Sequence, residues 1–262
     1  MRRGTHRTVH TDRVAASHPV RQEPGTRTKR RDLLPVLPIN DRGVTEAMQA
    51  LRAGVPVVIP GPSPLAYAVT GTDAAAVNTA KNRLATQPAG VSVADLDVIA
   101  PYLDLRMSVL PLARWLCESE LVSLLAPGHP DAPGWLAPAT ADGIVFFTCT
   151  PWLPQLAPIV AEFGHLYMSS ANITGSRSAV TAAEAGEVFG EKLIVLDGDP
   201  YRDQSRPQGS TTMVRLSHDG DLAVARPGIN NAAFGTDLAG YAADLTRRWR
   251  QQSLATTEDG LA

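Results

Sequence analysis

A chain of 262 residues with 44% apolar content and a formal charge of −2 can bury one substantial core; length alone allows one large domain or two small ones, and the expectation is one domain with two tails. Its two cysteines, Cys117 and Cys149, form no CxxC pair and lie near no ligand-spaced histidine, so they exclude a disulfide framework and read as buried small apolar residues. No apolar run approaches the ~18 residues of a spanning helix and no signal-peptide core is present, so the expectation is a soluble, cytoplasmic protein without membrane contact.

The small net charge hides an asymmetry. The first 31 residues carry nine Lys/Arg against Asp12 and Glu23, leaving 15 basic and 24 acidic residues for the rest of the chain. Residues 1–35 show no apolar periodicity and predict a disordered basic tail, because they cannot bury enough surface to offset their ordering entropy. The same composition suits contact with nucleic acid. It is also shared by organellar transit peptides, although no amphipathic stripe accompanies it here.

From Val36 onward, helix-like stretches alternate with short β-branched runs. Residues Thr45–Ala53 predict a helix and Pro56–Pro60 a buried strand; Asp73–Leu84 predicts an Ala-rich helix whose N-terminus Asp73 favours. Lys81 and Arg83 then fall in its last turn or just beyond. Next come a helix over Leu110–Glu118, strands over Leu121–Leu125 and Gly143–Phe147, a helix over Leu153–Phe163 and a strand over Leu166–Ser169. A helix over Thr181–Phe189 opens on a capping box, Thr181 with Glu184 three residues later. Strands Leu193–Leu196, Thr211–Leu216 and Leu222–Arg226 follow, the last two joined by a turn at His218-Asp219-Gly220. Ala126–Pro130 and Gly198–Gly209 are loop-forming by their Pro, Gly and Asp content. A helix over Ala232–Gln252 and a polar tail close the chain. Hairpins beside helical crossovers predict an α/β (α+β) domain over residues 36–229, with helices packed on a mixed sheet, and a C-terminal helix and tail over 230–262.

Familiar nucleotide signatures are missing: there is no GxxxxGK[ST], since Lys192 follows Glu191, and no GxGxxG after a strand. No HExxH or HxH occurs, and the DxD pairs Asp95/Asp97, Asp197/Asp199 and Asp219/Asp221 extend into no calcium loop, so no protein-borne metal site is expected. The histidines are scattered in predicted loops or the tail, and no Ser sits in GxSxG. Four polar clusters remain: Lys81/Arg83, Ser169/Ser170/Asn172/Thr174, Ser210-Thr211-Thr212 and Arg226-Pro227-Gly228. Singly, each has an ordinary structural explanation, from a helix C-terminal cation pair to a strand-ending arginine.

Their order is more telling. Lys-x-Arg after a helix, Ser-Ala-Asn-x-x-Gly after a strand, Ser-Thr opening a later strand and Arg-Pro-Gly closing the next resemble the YrdC-like family, the threonylcarbamoyl-AMP synthases. The resemblance spans about Val36 to Ile229 and is most specific from Met168 to Gly228. It implies a twisted mixed sheet around an open basic cavity that holds ATP with Mg²⁺ carried mainly by its phosphates. Lys81 and Arg83 would be catalytic, and Ser170, Asn172, Ser210 and Arg226 nucleotide-binding. The implied reaction joins threonine and bicarbonate to ATP, releases pyrophosphate and serves tRNA modification. The family's Pro-Thr-Asp/Glu-Thr-x-Tyr-Gly loop appears here as Pro60-Gly61-Pro62-Ser63-Pro64-Leu65-Ala66-Tyr67, with Ser63 and Tyr67 as the remaining candidates for substrate binding. An arginine that the family places before its mid-chain proline is replaced by Cys149 or a neighbour. These departures leave two alternatives: a diverged paralogue that binds nucleotide and carbamate for another amine or without turnover, and a double-stranded RNA-binding module.

Overall fold

The computed structural model describes residues 36–149 and 151–259. The basic tail expected over residues 1–35 lies outside the described residues. Eleven strands are present among them: β1 (Val36–Pro38), β2 (Val57–Ile59), β3 (Ala68–Gly71), β4 (Gly90–Val93), β5 (Ser123–Pro127), β6 (Thr140–Ala141), β7 (Ile144–Thr148), β8 (His165–Ser170), β9 (Val195–Asp197), β10 (Met213–Leu216) and β11 (Leu222–Arg226). Six α-helices accompany them: α1 (Asp41–Arg52), α2 (Ala74–Ala80), α3 (Leu110–Glu118), α4 (Ala157–Phe163), α5 (Ala182–Phe189) and α6 (Leu238–Asp259).

The strands form one sheet in the order β1-β9-β2-β3-β8-β4-β7-β5-β10-β11, with β6 added to β7. It is mixed, as expected: β2–β3, β3–β8, β4–β8, β5–β7 and β10–β11 are antiparallel, whereas β1–β9, β2–β9, β4–β7 and β5–β10 are parallel. Side chains alternate between its faces and build two cores. Val57 and Ile59 join α1 and α4 through Val44, Leu51 and Ile159, while Val58 points into the larger core with α2, α3, α5 and α6. Because β2 is buried on both faces, its sequence is an unbroken apolar run.

Local chemistry explains the shifted boundaries. The Asn40 side chain accepts from the Gly43 N–H at 2.9 Å, which starts α1 four residues ahead of the expected Thr45. Leu121 adopts a left-handed φ of 55°, so β5 begins at Ser123 and not at Leu121. At the other end, Gly235 with φ 55° separates a single 3₁₀ turn, Ala232–Phe234, from α6, dividing the one helix expected over Ala232–Gln252. Helix α5 opens on the expected pair: the Thr181 hydroxyl accepts from the Glu184 N–H at 3.2 Å. The Glu184 carboxylate reaches one residue further back than in a standard box and accepts from Val180 N–H at 2.7 Å. Tyr241 and Leu245 of α6 are buried in the larger core, with Trp249 packed against Trp115 at 5.7 Å between ring centroids.

Candidate functional site

The first part of the site is a bend after a short helix. Asp73 caps α2 by accepting from Ala75 N–H at 2.9 Å, and the helix ends at Ala80 with Lys81 as its C-cap. Asn82 turns the chain through a left-handed φ of 55°. Asn78, fully buried, holds the bend: its side-chain amide nitrogen donates to the carbonyls of Ala85 at 3.2 Å and Gln87 at 2.6 Å, and its backbone carbonyl accepts from Arg83 N–H at 2.9 Å. Lys81 and Arg83 are thereby fixed beside the end of β8.

Lys81 is only 2% exposed, and its ammonium donates to the Ser170 carbonyl and, at 3.1 Å, to Asn172 Oδ1. Arg83 donates from Nη1 to the Ser169 hydroxyl at 3.2 Å. The Ser170 hydroxyl donates to Asn172 Oδ1 at 2.7 Å, and the Asn172 amide donates to the Ile173 and Ser176 carbonyls, both at 3.0 Å. From the opposite side Ser210 shares a hydroxyl bond of 2.6 Å with Ser178, and Arg226 donates to the Thr211 carbonyl at 3.1 Å. Gly228 lets the Arg-Pro-Gly turn lie against Ser210 and Thr211, since a Cβ there would stand 2.5 Å from the Ser210 carbonyl oxygen.

None of the three cations has an ion-pair partner among the described residues. Burial, then the charges of Arg83 and Arg226, push the Lys81 ammonium down to about 7. Burial also lowers Arg83, and burial together with Arg83 lowers Arg226. One buried ammonium, one half-buried guanidinium and one exposed guanidinium, none with a carboxylate ion-pair partner among the described residues, make an arrangement able to receive an anion with several charged oxygens.

Two cavities meet there. An apolar chamber of about 120 Å³ is bounded by Ile59–Pro62, Leu65–Ala68, Gly90–Ser92, Phe146, Trp152 and Met168, and reaches Ser169, Ser170, Ser210, Thr211 and Arg226. A polar basin of about 340 Å³ is lined by Ser170, Asn172, Ser176–Ser178, Val180, Gln208–Ser210, Arg226 and Pro227. Ser170, Ser210 and Arg226 line both. The structure therefore brings the four expected nucleotide residues to one place. Lys81 and Arg83 line neither cavity and stand immediately behind the Ser169–Asn172 wall.

The two substrate-binding candidates lie differently. Ser63 is outside both linings, where its hydroxyl accepts from Asp203 N–H at 2.8 Å. Tyr67 lines the chamber, but its hydroxyl is engaged on the far side, donating to Asp199 at 2.7 Å and accepting from Gly198 N–H at 3.0 Å. Burial and the Asp199 bond raise its pKa. Sequence reasoning did not single out Trp152, which donates to Ser92 at 3.2 Å, nor Ser178 or Arg202. Their partners lie 60, 32 and 22 residues away in sequence, and no local pattern marks such contacts. Among the described residues no three His, Cys, Asp or Glu side chains come together to hold a metal, and no helix is long and apolar enough to cross a membrane.

Residues 49–228 match the Sua5/YciO/YrdC family model, whose description is telomere recombination. The chain belongs to this family. A Mycobacterium tuberculosis protein carrying the provisional name threonylcarbamoyl-AMP synthase is 30% identical over 197 residues, covering 71% of this chain and 84% of that protein. The threonylcarbamoyl-AMP synthase of Mus musculus is 26% identical over 198 residues, 71% of this chain and 68% of the mouse protein. Two Sua5/YciO/YrdC structures share the fold. E. coli YciO superposes with a TM-score of 0.56 at 16% identity, covering 72% of this chain and 91% of that one. P. abyssi Sua5, solved with L-threonine, gives 0.52 at 20% identity and covers 71% of this chain; the match spans 54% of the archaeal protein.

Proposed function

We propose that this protein is a threonylcarbamoyl-AMP synthase: it joins L-threonine, bicarbonate and ATP to give threonylcarbamoyl-AMP and pyrophosphate, for tRNA modification in the cytoplasm. One observation carries the reading: Lys81 bonded to Ser170 and Asn172, Arg83 bonded to Ser169, and Arg226 lining the same cavities as Ser170 and Ser210 gather at one place with no carboxylate ion-pair partner among the described residues. The names of the Mycobacterium and mouse relatives supply the amine and the product.

In the proposed reaction the threonine amine bonds to the carbon of bicarbonate and water leaves, giving an N-carboxy species whose carboxylate oxygen bonds to the α-phosphorus of ATP as the bond to pyrophosphate breaks. Charge grows on equatorial phosphate oxygens and on the leaving group, so positioning and fixed donors matter more than a proton-transfer residue. Arg226 and the hydroxyls of Ser170 and Ser210 face the space where those oxygens would lie. Lys81 and Arg83 act through the wall they support and through their field. Mg²⁺, if bound, would arrive on phosphate oxygens and supply further charge neutralisation, since no cluster of protein ligands awaits it among the described residues. The apolar chamber would take the amine, its lip formed by Pro60–Pro62 and Leu65–Tyr67.

The test is pyrophosphate release from ATP with Mg²⁺ and bicarbonate, with and without L-threonine. Threonine-dependent release should fall in Arg226→Ala by an amount equal to ~2–4 kcal/mol of transition-state stabilisation. Release independent of threonine, or unaffected by losing Arg226, would remove the reading.

A further inference from the structure

The chamber's proline-rich lip has two backbone bonds of its own, Leu65 N–H to the Pro62 carbonyl at 2.7 Å and Gly61 N–H to the Ala66 carbonyl at 3.3 Å, and the segment 198–209 ties it to the fold across the chamber. Ala66 N–H donates to the Gly209 carbonyl at 2.7 Å, Gly209 N–H donates to the Pro64 carbonyl at 3.0 Å, and Leu65 and Gly209 form an isolated parallel bridge. At the centre of this contact lies Arg202, whose side chain is 0% exposed. Its Nη2 donates to the Leu65 carbonyl and its Nη1 to the Val180 carbonyl at 2.9 Å. The guanidinium sits 4.9 Å over the Tyr67 ring and 3.7 Å from Asp199, which holds both the Tyr67 hydroxyl and, at 2.9 Å, the Ala182 N–H of α5.

We propose that Arg202 is a positioning residue for the amine substrate, clamping the Leu65 lip of the apolar chamber to Val180 at the edge of the polar basin. This rests on the proposed use of the chamber by the amine. The two walls depend on Arg202 unequally. Val180 has a second anchor in Glu184, which accepts its N–H at 2.7 Å, and the capped start of α5 follows it directly. Among the described residues, Arg202 is the only hydrogen-bond donor to the Leu65 carbonyl. Loss of the guanidinium therefore frees the amine side first, while Ser170, Asn172, Ser210 and Arg226 keep their own bonds. A lysine carries the charge but cannot span two carbonyls with a planar fork.

Wild type, Arg202→Lys and Arg202→Ala are compared with threonine and ATP varied separately, ATP affinity measured by calorimetry, and amide exchange followed at Ala66 and Gly209. The expected result for Arg202→Ala is a rise in the threonine KM of about tenfold or more, since small misplacements of a reactant are costly. ATP affinity stays within about twofold, and both amides exchange about tenfold faster while β5 and β7 amides do not. Arg202→Lys falls between, and it carries the test if the alanine variant does not fold. Equal losses for both substrates that track the melting temperature overturn the proposal, as does an unchanged threonine KM. Should wild type release no pyrophosphate with any amine, the proposed function fails, and unchanged exchange at Ala66 and Gly209 in Arg202→Lys then refutes the clamp itself.

Discussion

The buried ammonium of Lys81 leads to a measurable proton. Its pKa lies at about 7 against an ordinary 10.5, because burial comes first and the two arginine charges second. At ~1.4 kcal/mol per tenfold change, that displacement corresponds to ~5 kcal/mol of unfavourable charging in the empty protein. At pH 8 about nine molecules in ten therefore hold a neutral amine. A polyphosphate brings several negative charges against the same wall, which favours the charged form and returns the pKa toward its ordinary value. ATP binding at pH 8, where phosphate groups are already ionised, should take up about 0.9 proton per site. Calorimetry in two buffers of different ionisation enthalpy reads this number directly. Lys81→Met, which keeps the buried stem and deletes the charge, should reduce the uptake to near zero. Uptake below about 0.2 proton in wild type, or the same uptake in Lys81→Met, would refute the proposal that the Lys81 charge acts on the nucleotide through the wall it supports.

Three further outcomes are expected. Between pH 7 and 10.5 the folded protein holds fewer protons at Lys81 than the unfolded chain, so its stability should rise with pH across that window. Thermal melts should accordingly show wild type gaining stability relative to Lys81→Met from pH 7 to 9.5. Gly228→Ala pushes a methyl into the Ser210 and Thr211 backbone, which cannot yield as a flexible side chain would, and should cost ~1–3 kcal/mol in denaturant titrations while weakening ATP binding. Deleting the residues before Asp32 should leave ATP affinity unchanged; RNA affinity that survives the deletion, or lacks a steep salt dependence, would show that the arginine-rich segment is not its source.

The sequence reading succeeded where chemistry is local. Asp73, Thr181 and the Arg-Pro-Gly turn each announce an element boundary through their own side chains or backbone, and Ser170, Asn172, Ser210 and Arg226, singled out from short motifs, line one basin. It missed β3 and β4 because Ala68–Gly71 and Gly90–Val93 are short, glycine-containing and almost wholly buried, which removes the two-residue alternation that marks a half-buried strand. Gly90 is further constrained by the Phe146 ring, which a Cβ would approach to 2.7 Å, a contact invisible from either segment alone. Ser63 looked like a substituted threonine by position, yet its hydroxyl is bound to Asp203, 140 residues on. Arg202 carried no motif at all, since its meaning comes from two carbonyls that only the folded chain brings together.

The bridge between Leu65 and Gly209 joins the β2–β3 hairpin to the approach of β10, segments far apart in the strand order. Together with the path β3-β8-β4-β7-β5-β10 it closes a ring of backbone beside the cavities, while β1 and β11 remain the sheet's edge strands. Such a ring closes late during synthesis: every wall must have emerged from the ribosome, as far as Arg226 and Gly228, before its first and last segments can meet. Contacts of this sequence separation are slow to form and are secured only when the rest of the sheet is in place. The candidate site is then complete only once Arg226 and Gly228 have been made, with α6 still to follow.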